Sequence, residues 1–282
     1  MVNAGTRHVA QLAAGSSGDD RVFCTPRATI ILDGASSHTG DQHFSGGEYA
    51  DALGHALIEH ADDDGQSLPD ILGHSIAQAA GHLSLRSLSV QPSSTVAVVR
   101  LPEQPTRAPG ELEVLVLGDS VVVVGMSDGQ QRLLTDERLA NLALPQANEY
   151  RQRMQRGHGF DERHRAILSE LQLSERRHRN VPGGYWIASD EPAAANEAVT
   201  ATFPVDSVQW VVLASDGVAD VLEAAGLSWE ELARLDSHEL ASALADLHTW
   251  EAHADPDGMA LPRSKRHDDK AIAVVHPNAP SW

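Results

Sequence analysis

Short runs of β-branched and aliphatic residues recur along this chain, and most of them meet an aspartate beside a glycine. ATIIL at 28–32 leads into Asp33-Gly34, and TVAVVRL at 95–101 runs into a Pro-rich turn. VLVL at 114–117 meets Gly118-Asp119-Ser120 and continues as VVVVGM. WVVLA at 210–214 ends in Ser215-Asp216-Gly217, and AIAVV at 271–275 follows Asp268-Asp269-Lys270. Apolar runs of this length with turn residues at their ends are buried strands. Whatever fold the chain adopts must therefore bury several strands and place acidic corners at their ends.

Between the strands the pattern turns helical. YADALGHALIEH at 49–60 spaces Leu53, Leu57 and Ile58 for one helix face, and residues 68–88 do the same with Ile71, Leu72, Ile76 and Leu83. A third helix is expected over 229–247, where SWEELARL opens with a serine followed by acidic residues. Two helices fall together between the first two strands instead of alternating with strands. That arrangement favours a layered α+β fold over a doubly wound parallel sheet. Residues 146–180 are crowded with Arg, Gln, Glu and His, and then give way to the apolar, Gly-rich VPGGYWIASDEP. This stretch is expected to be a solvent-facing helical insertion, a flap near the site spanning about residues 146–195. No internal repeat or long low-complexity linker divides the chain, so a single domain over 1–282 is expected.

Charge narrows the partners. With 21 basic and 40 acidic side chains the net charge is -19, which opposes nucleic-acid binding, since that affinity comes from Lys and Arg neutralising phosphates. No run approaches the roughly 18 apolar residues of a membrane span, and the first residues lack the apolar core of a signal peptide. A cytoplasmic protein with neither a nucleic-acid nor a membrane partner is expected. The lone cysteine, Cys24, excludes an intramolecular disulfide and a Cys-rich zinc site.

The chemistry lies in the acidic corners. Glycine beside each aspartate permits a tight turn and a close approach of backbone carbonyls to a ligand. Hard cations such as Mg²⁺ and Mn²⁺ take carboxylates, carbonyls and water. One such corner is an ordinary turn; several at the ends of paired strands can converge into a metal site.

In order along the chain, GDDRVF at 18–23, DGASSH at 33–38, SSTVAVV at 93–99, LGDS at 117–120, SDGVAD at 215–220 and DDKAIAVV at 268–275 resemble the motifs of the metal-dependent serine/threonine protein phosphatases of type 2C, the PPM family, in its bacterial branch. RLLTDERLA at 132–140 resembles the segment that follows the Gly-Asp-Ser strand in that family. The resemblance covers about residues 15–276. It implies a four-layer αββα sandwich, two antiparallel sheets flanked by helices, with a binuclear metal centre between the sheets. By the same resemblance Asp33 bridges two metal ions, the Gly34 carbonyl binds one, and Asp216 and Asp268 hold the second. Asp20, with Asp19 beside it, lies in the outer shell or contacts metal directly, and Asp119 joins Asp216 and Asp220 at a third, weaker site. The cofactors implied are two or three Mg²⁺ or Mn²⁺ ions, with no organic cofactor. The implied partner is a phosphorylated protein substrate, and the implied setting is signalling. His38, at the motif histidine, is a candidate general acid, alongside Asp33 in the catalytic set.

The chain departs from the pattern in places. Gly15 stands where a phosphate-pairing arginine is often found, Ser36 and Ser37 replace the motif glycines, and Val121 replaces an arginine after Gly-Asp-Ser. Arg21 or an arginine of the 151–179 segment is a candidate substitute for the missing cation. Two alternatives accompany the main reading: a phosphatase-like module that binds a phosphorylated partner with little turnover, and a hydrolase of small phosphate esters. A zinc site at His158 and His164 lacks HExxH spacing. Ser120 and Ser215 lack the elbow of a serine nucleophile.

Overall fold

The computed structural model describes residues 6–15, 18–35, 43–103 and 110–278. Among the described residues, ten strands form two five-stranded antiparallel sheets. The first sheet contains β1 (Thr6–Leu12), β6 (Val121–Met126), β7 (Gln131–Leu134), β9 (Val208–Ala214) and β10 (Lys270–His276), in the order β1-β10-β9-β6-β7. The second contains β2 (Arg21–Cys24), β3 (Ala28–Leu32), β4 (Val96–Arg100), β5 (Glu111–Leu117) and β8 (Val199–Pro204), in the order β2-β3-β4-β5-β8.

Strand periodicity sorts the side chains into layers. In β3, Ile31 faces the partner sheet among Ala97, Val99, Val116, Val211 and Ala273, while Ile30 and Leu32 face α1 (Gly46–Ile58) and α2 (Leu68–His82). On the other sheet Val212, Ala214, Ile272 and Val274 pack under α6 (Asp216–Leu222), α7 (Trp229–Leu232) and α8 (Ser237–His253). A strand covered on both faces has no solvent side, so β3 and β4 are buried throughout and read as continuous apolar runs. The result is the expected α+β sandwich with helices on both outer faces.

The run read as VLVL continuing into VVVVGM is two strands in different sheets, β5 and β6. Between them Gly118 adopts a positive φ of 86° against the Thr95 side chain, a conformation that favours glycine. The helix expected over 229–247 is likewise two. Ser228 with Glu231 forms one capping box and Asp236 with Glu239 forms another, so the second N-cap restarts the helix. The 146–180 segment is helical as expected, through α4 (Pro145–Gln155) and α5 (Glu162–Glu175), following the short α3 (Arg138–Asn141). It buries a small core of its own: Tyr150, Met154, Ile167, Leu168 and Leu171. No helix is long and apolar enough to cross a membrane among the described residues.

Candidate metal centre

Sheet register brings the acidic corners to one end of the sandwich. Arg21 pairs with Leu32, which sets Asp20 opposite Asp33. Ala214 pairs with Val121 on one side and Ile272 on the other, so Asp119, Asp216 and Asp268 all leave the first sheet at the same edge. Asp220 stands one turn after Asp216 on α6. Within the second sheet, where β3 and β4 are neighbours, the Thr95 amide donates to the Asp33 carbonyl at 2.9 Å.

The carboxylates act on one another. Burial and the charges of Asp216, Asp20 and Asp268 hold Asp33 well above the usual carboxylate range, and it shares a hydrogen bond with Asp216. Asp20, buried at 5% exposure, is pushed up to about 8 by desolvation; a Ser215 hydrogen bond opposes the rise, while Asp216, Asp268 and Asp269 add to it. Asp268 is raised to about 6 by desolvation and Asp216, against the pull of Lys265. Asp119 and Asp220 are raised by desolvation and then by Asp216. The expected carboxylate ligands thus belong to one mutually repelling set.

Two glycines allow the corners to close. A Cβ on Gly34 would lie 2.4 Å from the Gly46 carbonyl carbon at the start of α1, and one on Gly217 would lie 2.0 Å from the Asp269 carbonyl oxygen. No side chain fits at either place without backbone movement. Asp269 has a structural part: its carboxylate accepts from the amides of Ala14 at 2.7 Å and Asp19 at 2.6 Å. Asp19 in turn accepts from the Gly47 amide at 2.9 Å, which ties Asp19 to α1.

Behind Asp268 lies a second polar cluster of different character. Lys270 and Glu251 are fully buried, with Nζ donating to both carboxylate oxygens at 2.9 and 3.0 Å. Lys270 also donates to the Asp268 carbonyl at 3.1 Å, and His267 Nδ1 lies 3.1 Å from Glu251 Oε2. The ring of His248 stacks on His267 at 4.0 Å. Among the described residues, His248, Glu251 and His267 have ligand atoms all within 4.8 Å of one another. Glu251 is ion-paired with Lys270, which also holds the Asp268 carbonyl, so the cluster braces the Asp268 corner.

Several expectations resolve differently. Arg21 is committed to Asp51 at 2.7 and 3.0 Å and to the carbonyls of Gly18 and Asp20, so it braces the loop and does not replace the cation missing at Gly15. In the 151–179 segment, Arg151 stacks over the Tyr150 ring at 5.5 Å and its charge acts on Asp220. Arg179 is occupied by the Tyr185 hydroxyl and the Gln91 carbonyl, both at 3.3 Å. His164 is buried in α5 and bonds the Ser264 carbonyl at 2.9 Å. Ser120 bonds Thr95 at 2.5 Å, and Ser215 accepts from the Ala271 amide at 3.0 Å; both are structural. Tyr185 is buried. His38, Ser36 and Ser37 lie outside the described residues.

Sequence reasoning missed three groups at this end. Glu175, at the last turn of α5, acts on Asp119, and Tyr150 lies within reach of Asp220 and Glu175. Lys265 donates to Asp268 Oδ1 at 2.6 Å. None of them sits in a motif, because each arrives by tertiary folding of the flap or of the loop before β10.

The donor set fits hard divalent cations. It is all oxygen, it is anionic, and it leaves one buried atom, Asp20 Oδ2, without a hydrogen-bond partner. An orphaned buried carboxylate oxygen is costly unless a cation or water meets it.

No protein-family model matches the sequence, and no curated protein matches it. Solved structures do match. The serine/threonine phosphatase PstP/Ppp of Mycobacterium tuberculosis aligns at 14% identity and a TM-score of 0.56, covering 98% of this chain and 99% of that one. The catalytic domain of PstP in complex with two manganese ions aligns at 15% identity and a TM-score of 0.55, covering 96% and 97%. The PPM Ser-Thr phosphatase MsPP of Mycobacterium smegmatis, in complex with cacodylate, aligns at 16% identity and a TM-score of 0.52, covering 96% and 97%. Across nearly its whole length, this chain has the fold of the bacterial PPM serine/threonine phosphatases.

Proposed function

We propose that this protein is a metal-dependent phosphatase that hydrolyses phosphoserine and phosphothreonine esters in protein substrates. The observation that carries the reading is the convergence of Asp20, Asp33, Asp119, Asp216, Asp220 and Asp268 on one end of the sandwich, with Asp20 Oδ2 buried and unpartnered. A cluster of this charge is stable when a cation neutralises it.

In this reading Asp33, the Gly34 carbonyl, Asp216 and Asp268 hold two Mg²⁺ or Mn²⁺ ions, with Asp20 close by, and Asp119 with Asp216 and Asp220 offers a weaker third position. Bound ions would supply Lewis acidity toward water and the phosphoryl oxygens. The chain's part is to fix the geometry. The Gly34–Gly46 and Gly217–Asp269 contacts set the corners rigidly, and the Lys270–Glu251 brace holds the backbone of Asp268. Preorganisation of this kind is what positions a phosphoryl group for in-line displacement. Arg151, whose charge acts on Asp220, is the candidate in this reading for the cation that meets substrate, in the stead of an arginine at Gly15. His38 remains the candidate general acid. A cytoplasmic signalling role accompanies a phosphoprotein substrate.

A phosphoserine peptide, a phosphothreonine peptide and a panel of small phosphate esters, each with Mn²⁺ and with EDTA, test the substrate class. Mn²⁺-dependent release of phosphate from the peptides is expected. Turnover confined to small esters would contradict the protein-substrate reading, and tight phosphopeptide binding without turnover would favour a binding module.

A further inference from the structure

The loop before β10 puts an ammonium group among the carboxylates. Lys265 Nζ lies 2.6 Å from Asp268 Oδ1, and its charge also interacts with Asp33 and Asp216. Asp268 thereby already has a cationic partner, in contrast to Asp20.

The backbone on both sides of that lysine is pinned. Arg263, 8% exposed, bonds Asp255 Oδ2 at 2.8 Å and the carbonyls of Asp255, Leu261 and Arg266 at 2.7, 3.1 and 3.1 Å. The Ser264 carbonyl is held by His164 of the flap at 2.9 Å. Phe160, also of the flap, lies 5.4 Å from the Arg263 guanidinium and 5.1 Å from that of Arg266. The Asp268 corner is fixed from the other side by Lys270. With both backbones fixed, the groups free to move are the four-carbon stem of Lys265, whose side chain is 32% exposed, and whatever cation takes its place.

We propose that Lys265 is a resident counter-cation of the metal centre, which occupies Asp268 in the metal-free protein and competes with divalent ions for it. This rests on the metal-dependent reading above. Physically, an ammonium and a divalent ion a few ångströms apart repel strongly in a partly desolvated site. Loading at Asp268 therefore requires the Lys265 side chain to leave its carboxylate partner for solvent. The lysine weakens metal binding at that position and also shields the carboxylates from one another while no ion is bound.

Calorimetric titration of the full chain with Mn²⁺ tests this without any activity readout. Lys265→Met should bind Mn²⁺ about tenfold or more tightly at the position that includes Asp268. Lys265→Arg, which keeps the charge, should stay near wild type. The gain should vanish when Asp268→Asn is added to Lys265→Met. Unchanged or weaker Mn²⁺ binding in Lys265→Met would overturn the competition while leaving the metal centre standing. An equal gain in Lys265→Arg would overturn it too, by assigning the effect to lost packing. No Mn²⁺ binding by any form would overturn the metal reading itself, and the competition with it.

Discussion

Two buried ionic clusters lie back to back at the Asp268 corner, and they are built on opposite rules. In one, Glu251, Lys270 and His267 are matched, every charge within about 3 Å of an opposite charge or polar partner. In the other, Asp20, Asp33, Asp119, Asp216, Asp220 and Asp268 face one another, relieved by Lys265 at one member and Arg151 at another. Buried charges persist when paired, so the first cluster is complete as a piece of protein. The second leaves carboxylates facing one another, and in the proposed reading divalent cations complete it. On that reading, structure is stored in the matched cluster and function in the mismatched one.

Substitutions on the two sides should therefore behave oppositely. Asp33→Asn should lower metal-dependent phosphate release by at least about 100-fold, as loss of a central electrostatic group does. It should also raise the thermal midpoint of the metal-free protein at neutral pH, because it removes a carboxyl that the fold keeps from ionising and that unfolding releases to ionise. Steady-state kinetics and a melting curve in EDTA check both halves. A lowered midpoint in EDTA would break the comparison.

Next in size, Glu251→Ala should destabilise the fold by about 3–5 kcal/mol, since it strands a buried ammonium. Denaturant unfolding should show this loss with EDTA, before any metal is added. Adding Mn²⁺ at about 100 times its dissociation constant should then stabilise wild type by about 2.7 kcal/mol and leave Asp33→Asn closer to its metal-free value. The smallest effect is expected in the flap. Ile167→Val, in the separate core formed with Tyr150, Met154, Leu168 and Leu171, should cost about 0.5–1.5 kcal/mol and leave Mn²⁺ affinity unchanged.

The legibility of the sequence follows the same division. Strands buried on both faces, such as β3, β4, β9 and β10, announce themselves as unbroken aliphatic runs. β1, β2, β7 and β8 do not: RVFC and QRLL are short and half polar, and VTATFP alternates in burial, so each is defined by its pairing partner instead of its composition. Four of the six clustered aspartates, Asp33, Asp119, Asp216 and Asp268, stood beside glycine, serine or a second aspartate at expected strand ends and were readable in order. Asp20 and Asp220 were readable only through the family resemblance of GDDRVF and SDGVAD. Lys265 and Glu175 were not legible as members of the site, and Arg151 only as one of the arginines of the 151–179 segment. Their neighbours in sequence carry no pattern, and their positions depend on how the flap core docks through His164 and Phe160 onto the 255–268 loop.

The central claim is that the mismatched cluster is a divalent-metal phosphatase centre, and hydrolysis of a chromogenic aryl phosphate tests it most directly. Wild type and Asp216→Asn would be assayed in EDTA, Mg²⁺ and Mn²⁺. Turnover that requires the metal and disappears in Asp216→Asn is the predicted result. Absence of turnover with either metal in the folded wild type, or metal-dependent turnover that survives in Asp216→Asn, would contradict the account.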